Sequence, residues 1–342
     1  MPRMTGAKYL AETLKAYGVT HVFFVPAVLR KSLAEMDMVG IKRVVTHGEK
    51  AAAYMADGYA RASDKVGVCM AQSVGAVNLA AGLQDAYLGL SPVLALTGHK
   101  SNLQQNRNAY QEIEHSKPFA STTKFSAVVD SVNELPGLLR QAFREATTGA
   151  PAPVHLDFEG ISGNVVEDGE ADLEILLEVS FTQRPAFRPE PEPEKVREAA
   201  QVLANAQRPV IVAGAGIKNG GRFVEVLDLA EKLNAPIATS PGHGDAIPAD
   251  HQLCAGQMGP RGNPVASRLV GEADVILALG TRLGFNSTFY SWDNVNRDAA
   301  IIQVEVEPTA IGRFFPVEVG IHGDAPTVAA QLAAALAPGR AN

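Results

Sequence analysis

The sequence predicts an α/β protein built as two doubly wound parallel-sheet domains. Three observations predict it. Short β-branched apolar runs alternate with segments of helical periodicity along nearly the whole chain, and such alternation means a parallel sheet covered by helices on both faces. The stretch Arg184-Pro185-Ala186-Phe187-Arg188-Pro189-Glu190-Pro191-Glu192-Pro193 breaks the alternation near the middle, as a stiff, extended connector does. A length of 342 residues makes about two domains at roughly 100 to 200 residues each.

The first domain is placed at residues 1–160. Leu10, Leu14 and Tyr17 mark one face of an opening helix that ends at Gly18, a residue suited to the position just past a helix. A strand follows at 21–25, a helix at 29–36, a strand at 43–45 and an alanine-rich helix at 49–62. The alternation continues with a strand at 66–71, a helix at 75–88 and a strand at 92–96, then an irregular polar stretch at 100–116. A strand at 124–128, a helix at 132–146 and a strand at 154–158 complete the domain. Over 161–192 the periodicity fails; acidic residues come first and prolines follow. This span is read as the linker, with a few of its residues crossing the surface of one domain as an ordered strap.

The second domain, 193–342, opens with a helix over 193–206, its proline at a first-turn position that tolerates one. A strand at 209–213 runs into Gly214-Ala215-Gly216-Ile217-Lys218-Asn219-Gly220-Gly221, followed by a helix to Leu233 and a strand at 236–239. A strand–helix unit ending at 274–280, a strand at 300–306 and a helix at 326–336 close the pattern. No fixed-period repeat is visible.

Charge and composition narrow the partners. A formal net charge of −7 with no run of Lys or Arg gives no electrostatic footprint for nucleic acid or an anionic membrane, so a small molecule or a protein is expected. The two cysteines, Cys69 and Cys254, lie far apart in apolar surroundings, which argues for a reducing compartment and against a disulfide or metal framework. The N-terminus leads into an amphipathic segment and no apolar run reaches the ~18 residues of a spanning helix. A cytoplasmic location follows as the expectation.

Few residues signal chemistry on their own. Glu49 stands at the junction between the apolar run Val44-Val45 and a helix, where α/β folds place reacting groups. Yet Thr46-His47-Gly48-Glu49 also fits a capping box, in which a Thr side chain and a Glu three residues on satisfy each other's backbone amides. Gly214-x-Gly216 after a strand suggests a phosphate turn, but Asn219 occupies the third glycine position of the dinucleotide fingerprint, and no acid ends the following strand. A tight strand–helix turn explains the glycines equally. His47, His99 and His115 show no metal-ligand spacing and read as polar lining or surface residues. No Gly-x-Ser-x-Gly elbow occurs.

Taken in order, several blocks carry a resemblance. They are Tyr17-Gly18-Val19-Thr20-His21-Val22-Phe23, the Glu49 to Arg61 segment, Ser73-Val74-Gly75-Ala76-Val77-Asn78-Leu79, Asp85-Ala86-Tyr87, Pro92-Val93-Leu94-Ala95-Leu96-Thr97-Gly98 and Ala109-Tyr110-Gln111-Glu112. In the second half come Arg208-Pro209-Val210, Ala235-Pro236-Ile237, Ala273-Asp274-Val275-Ile276-Leu277-Ala278-Leu279-Gly280-Thr281-Arg282 and Ile302-Gln303-Val304-Glu305-Val306-Glu307-Pro308. Their order and spacing resemble the thiamine-diphosphate-dependent enzymes of the acetolactate synthase and 2-keto-acid decarboxylase superfamily. Around Leu279-Gly280-Thr281-Arg282-Leu283-Gly284 the likeness is to the sulfoacetaldehyde acetyltransferase and acetolactate synthase branches. The first domain looks like the family's pyrimidine-binding domain and the second like its central domain.

The resemblance implies a catalytic Glu49, whose carboxylate would hydrogen-bond a ring nitrogen of the cofactor's aminopyrimidine and open the proton relay that activates thiamine. It also implies Gln111 facing the active centre, and Pro26, Glu49 and Asn78 beside the cofactor. Where the family usually has Gly-x-Pro-Gly, this chain reads Phe24-Val25-Pro26-Ala27, so side-chain bulk and restricted backbone angles stand in place of two glycines. Some relatives bind FAD or ADP in the central domain, which makes Gly214, Gly216 and Arg282 candidates for nucleotide contact. The family's Gly-Asp-Gly motif with its downstream Asn, which holds Mg2+ on the diphosphate, is not found in the chain, so no metal ligand is assigned and the diphosphate-binding domain is read as absent. The expectation is the larger subunit of a split lyase or carboligase acting on a small 2-keto acid or activated aldehyde. It would be inactive alone, sharing thiamine diphosphate and Mg2+ with a smaller subunit, with two copies of each chain in a heterotetramer. The alternative is a non-catalytic regulatory or scaffold protein that retains the fold.

Overall fold

Strands that are apolar on both faces fix the architecture of each half. The computed structural model describes residues 2–218 and 221–336; Asn219 and Gly220 of the glycine-rich turn lie outside them. The chain divides into two units, Met1–Phe187 and Arg188–Asn342.

The first unit runs β1 (Arg3–Thr5), α1 (Gly6–Ala16), β2 (His21–Phe24), α2 (Arg30–Met38), β3 (Lys42–Val45), α3 (Glu49–Ser63), β4 (Gly67–Gln72) and α4 (Ser73–Leu88). It continues with β5 (Val93–His99), α5 (Ser116–Ala120), β6 (Phe125–Val129), α6 (Leu135–Thr147), β7 (Val154–Glu159), α7 (Asn164–Asp168) and β8 (Glu170–Asp172). Six strands form one sheet in the order β3-β2-β4-β5-β7-β6, with every neighbouring pair parallel. Alternate residues of one strand serve opposite faces. Val68 and Met70 of β4 join the core under α1, α2 and α6, whereas Cys69 and Ala71 join the core under α3, α4 and α5. The chain steps from β2 outward to β3 and then back across β2 to β4. That reversal opens a crevice at the carboxyl ends of β2 and β4, the place where doubly wound sheets bind ligands.

Residues 161–187, which the sequence reading gives to the connector, pack into this first unit. Loss of helical periodicity there reflects short elements tied down one by one. β8 pairs antiparallel with β1. Buried Glu167 of α7 accepts from the backbone N–H (2.7 Å) and the hydroxyl (2.8 Å) of Ser32. Buried Arg184 donates to Asp64 Oδ1 at 3.1 Å and to the Leu90 carbonyl at 3.2 Å.

The second unit contains α8 (Pro193–Asn205), β9 (Pro209–Ala213), α9 (Ala215–Lys218), α10 (Val224–Leu233), β10 (Ile237–Thr239), β11 (Cys254–Gln257) and α11 (Pro264–Glu272). It ends with β12 (Val275–Leu279), α12 (Phe285–Thr288), β13 (Ala300–Glu305), β14 (Val319–His322) and α13 (Ala325–Ala335). Its sheet is also parallel, in the order β11-β10-β9-β12-β13-β14, with the strand order reversing between β9 and β12. The edge strands β11 and β14 escape the sequence reading because each is four residues long and only partly buried, without the apolar run of a central strand. Among the described residues no helix is long and apolar enough to cross a membrane.

Candidate active site

β3 and β4 are parallel and each leads almost directly into a helix, so α3 and α4 start at the same edge of the sheet and run side by side. Small residues let them approach closely. A Cβ on Gly82 of α4 would stand 2.7 Å from the Ala53 Cβ and 2.8 Å from the Lys50 carbonyl oxygen of α3. One register earlier, a Cβ on Gly75 would stand 2.5 Å from Glu49 Oε1. The Glu49 carboxylate therefore lies against the first turn of α4, where its Oε2 accepts from Asn78 Nδ2 at 3.2 Å. An ionised carboxylate has about four lone-pair sites, so this single bond orients Glu49 and leaves acceptor capacity for a ligand.

The capping box is not formed. Gly48 is the residue before α3 and no side chain caps that helix. The Thr46 hydroxyl is spent as a donor, to the carbonyls of Phe24 (3.3 Å) and Gly48 (3.0 Å), and the Thr46 amide also goes to Phe24 (2.9 Å). The same bonds tie the turn after β2 to the start of α3. Pro26 lies exposed in that turn, followed by Ala27 with φ +109°. That backbone conformation suits glycine, so the alanine holds a glycine-like turn at a cost of about 1–3 kcal/mol. Phe24, in place of the other glycine, is buried in β2.

Gln111 joins the site from the irregular segment after β5. Its carbonyl accepts from the Ser73 hydroxyl at the start of α4, its side-chain Nε2 lies 3.0 Å from the Tyr110 hydroxyl, and its Oε1 is buried with no protein partner. Glu49, Gly75 and Asn78 thus touch directly, and Gln111 connects to them through Ser73; Pro26 lies exposed two residues beyond Phe24, whose carbonyl Thr46 holds.

Behind this edge lies a polar cluster that the sequence reading missed. Asp157 of β7 is buried and accepts from the Thr97 hydroxyl at 2.6 Å, with His115 Nδ1 3.0 Å from both of its oxygens. His99 Nδ1 lies 3.3 Å from Asp157 without hydrogen-bond geometry, so its attraction is electrostatic. Burial opposes ionisation of Asp157, but the bond from His115 and the pull of His99 outweigh it and hold the carboxyl well below the usual range. His155, stacked on Phe119 with ring centroids 3.5 Å apart, sits between the hydroxyls of Thr97 (2.7 Å) and Ser126 (2.9 Å). Burial pushes its imidazole down to about 3, so it is neutral; Thr97, donating to Asp157, accepts from His155 Nε2. A signal was present: His155 and Asp157 interrupt the otherwise apolar run 152–158, and charged residues inside an apolar strand need partners.

In the second unit the glycines are explained by packing. A Cβ on Gly214 would meet the Gly280 carbonyl oxygen at 2.5 Å, and one on Gly216 would meet Gly280 Cα at 2.7 Å. The turns after β9 and β12 therefore lie on each other, at the reversal of strand order. α9 that follows has four residues. Arg282, just past β12, exerts its charge on buried Glu305 at the end of β13. Among the described residues no group of three or more His, Cys, Asp or Glu could hold a metal.

A doubly wound sheet with an oriented carboxylate at its switch point has the form of an α/β ligand-binding domain. The chain belongs to the thiamine pyrophosphate enzymes: residues 4–118 match the N-terminal TPP binding domain of that family and residues 196–332 its central domain. It is 36% identical to a protein of Methanocaldococcus jannaschii named "Probable acetolactate synthase large subunit", over 97% of this chain and 56% of that protein. Identity to the sulfoacetaldehyde acetyltransferase of Roseovarius nubinhibens is 32%, over 98% of this chain and 54% of the relative. The chain thus spans about half the length of these relatives. A solved structure from Mycobacterium smegmatis, described as "a putative thiamin diphosphate-dependent enzyme", superposes with a TM-score of 0.83 at 20% identity over 99% of this chain and 64% of that one. At that identity the likeness is one of fold.

Proposed function

We propose that this chain supplies the pyrimidine-binding half of a thiamine-diphosphate site in an acetolactate synthase-like carboligase or lyase. The observation that carries the proposal is the Glu49 carboxylate, fixed by Asn78 and pressed into the space left by Gly75. These residues fit an aminopyrimidine. Glu49 has a free acceptor for the proton of a ring nitrogen, Gly75 makes room for that carboxylate, and Gln111 brings a buried carbonyl oxygen that lacks a protein donor. Thiamine diphosphate, when bound, supplies the carbon nucleophile and the electron sink for reaction of a 2-keto acid. The chain's own part is to hold and move one proton at a carboxylate oxygen and to orient the ring; Asn78 keeps that carboxylate in one rotamer.

The diphosphate and its Mg2+ need several oxygen ligands, and relatives of this chain are named as large subunits. We assign that half to a smaller partner subunit, within an assembly containing two copies of this chain, in a reducing, cytoplasmic setting that suits two free cysteines. The substrates we propose are a small 2-keto acid, with pyruvate as the first to try, and an activated aldehyde. In the second unit Arg282 and the turn at Gly214 are the residues that would meet FAD or ADP; yellow colour in the purified protein tests the flavin.

The test mixes this chain with the partner subunit, thiamine diphosphate, Mg2+ and pyruvate, and follows carbon dioxide and acyloin products. Turnover by the mixture, none by the chain alone, and loss of turnover in Glu49→Gln are expected. Inactivity of the mixture over a broad panel of keto acids and aldehydes would sink the proposal.

A further inference from the structure

Glu49 and Gln111 belong to different segments, and the structure joins them at Ser73. Ser73 is fully buried and begins α4 with φ +25°. Gly75 and Asn78, which meet Glu49, follow it within the first turns of that helix. Gln111, bonded to the Ser73 hydroxyl, also has a positive φ, +57°. Non-glycine residues in that region cost of order 1–3 kcal/mol each and persist only where the surroundings over-determine them.

What holds them is His115. Its Nε2 lies 3.0 Å from the Ser73 carbonyl oxygen, while its Nδ1 lies 3.0 Å from both Asp157 oxygens. Both ring nitrogens face oxygen atoms, so the ring bridges the Asp157 carboxylate on β7 and the backbone of the Ser73 turn. Removing the ring leaves the buried carboxylate without that partner. The ring sits edge-on to Phe119 and is almost wholly buried, so solvent does not compete for either contact.

We propose that His115 is a positioning residue of the candidate active site: anchored on Asp157, it fixes the Ser73 turn, and through Ser73 sets Gln111 and the first turn of α4 relative to Glu49. The inference rests on the proposed function for its chemical meaning. His115 itself touches no group in contact with Glu49; it acts through Ser73.

Amide hydrogen exchange on the whole chain, without cofactor, tests the linkage. Ser73→Ala removes one hydroxyl and keeps the turn, and His115→Gln removes the double contact. Both are expected to raise exchange of the amides in 109–114 by about tenfold, as local opening does, with α1 and β5 unchanged. Unaltered exchange at 109–114 in Ser73→Ala overturns the proposal. In the active assembly Ser73→Ala should lower kcat about tenfold to a hundredfold with substrate KM little changed, the signature of a misplaced catalytic group; an unchanged kcat contradicts positioning. Failure of the proposed function would look different, as full activity in Glu49→Gln with the exchange response intact.

Discussion

Gly75 shows how closely one residue's size and one carboxylate's position are linked. Gly75→Ala puts a methyl group where Glu49 Oε1 now lies, and the carboxylate must leave Asn78. We expect thiamine diphosphate affinity and turnover to fall by about tenfold or more, since such misplacement costs up to ~100-fold. Titration with cofactor checks this, and wild-type affinity in Gly75→Ala would show that Glu49 is free to move without consequence. The place of Glu49 at a strand–helix junction was legible from the sequence because it is a local pattern; the catalytic role proposed for it comes from the family resemblance. The local pattern also misled. Thr46 and Glu49 have the spacing of a capping box, but the Thr46 hydroxyl donates to two carbonyls, a use that depends on β2 lying beside β3. Asp157 and His115 are 42 positions apart: Asp157 lies on β7 and His115 just before α5, and Thr97 reaches the same carboxylate because β5 and β7 are neighbours, none of which a local reading reveals.

At the scale of elements, the α3–α4 pair depends on contact without side chains. Replacing Gly82 by alanine would gain about 1 kcal/mol of helix propensity, yet the new methyl would collide with Ala53 and the Lys50 backbone, and overpacking costs about 1–3 kcal/mol. The collision should win. Denaturant unfolding is expected to show Gly82→Ala destabilised, and a stabilised variant would mean that the helices separate freely. In the second unit, burial pushes the Glu305 carboxyl at the end of β13 up to about 7, with Arg282 pulling it partly back. A raised folded-state value means that the folded protein holds the proton more tightly. The associated stability is full below the ordinary glutamate range and is lost as pH rises through about 7, an effect on the order of 3 kcal/mol. Glu305→Gln should therefore stabilise the second unit at pH 8 and change little at pH 4; equal effects at both pH values would place the carboxylate in water. The central strands and long helices were readable from periodicity, whereas β11, β14 and the elements of 161–187 were not. Those elements owe their order to partners distant in the chain, as Arg184 does to Asp64.

For the whole molecule, each unit has its own parallel sheet, that of the first starts α3 and α4, with Glu49 and Asn78, at one edge, and among the described residues no group of three or more His, Cys, Asp or Glu could hold a metal. If the site is shared as proposed, the chain by itself binds thiamine diphosphate weakly and without dependence on Mg2+, and gains Mg2+-dependent affinity when the proposed partner subunit is added. Calorimetric titration distinguishes the two cases, and tight Mg2+-dependent binding by the chain alone would refute the shared site. The central claim is that the Glu49 carboxylate activates thiamine. Its most direct test is exchange of the C2 proton of bound thiamine diphosphate with deuterium in the assembled protein, followed by proton NMR after rapid quenching. Loss of one general acid–base group costs about 100- to 10,000-fold, so Glu49→Gln should slow that exchange by about this factor while the cofactor stays bound. Exchange at the wild-type rate in the cofactor-loaded variant would contradict the account.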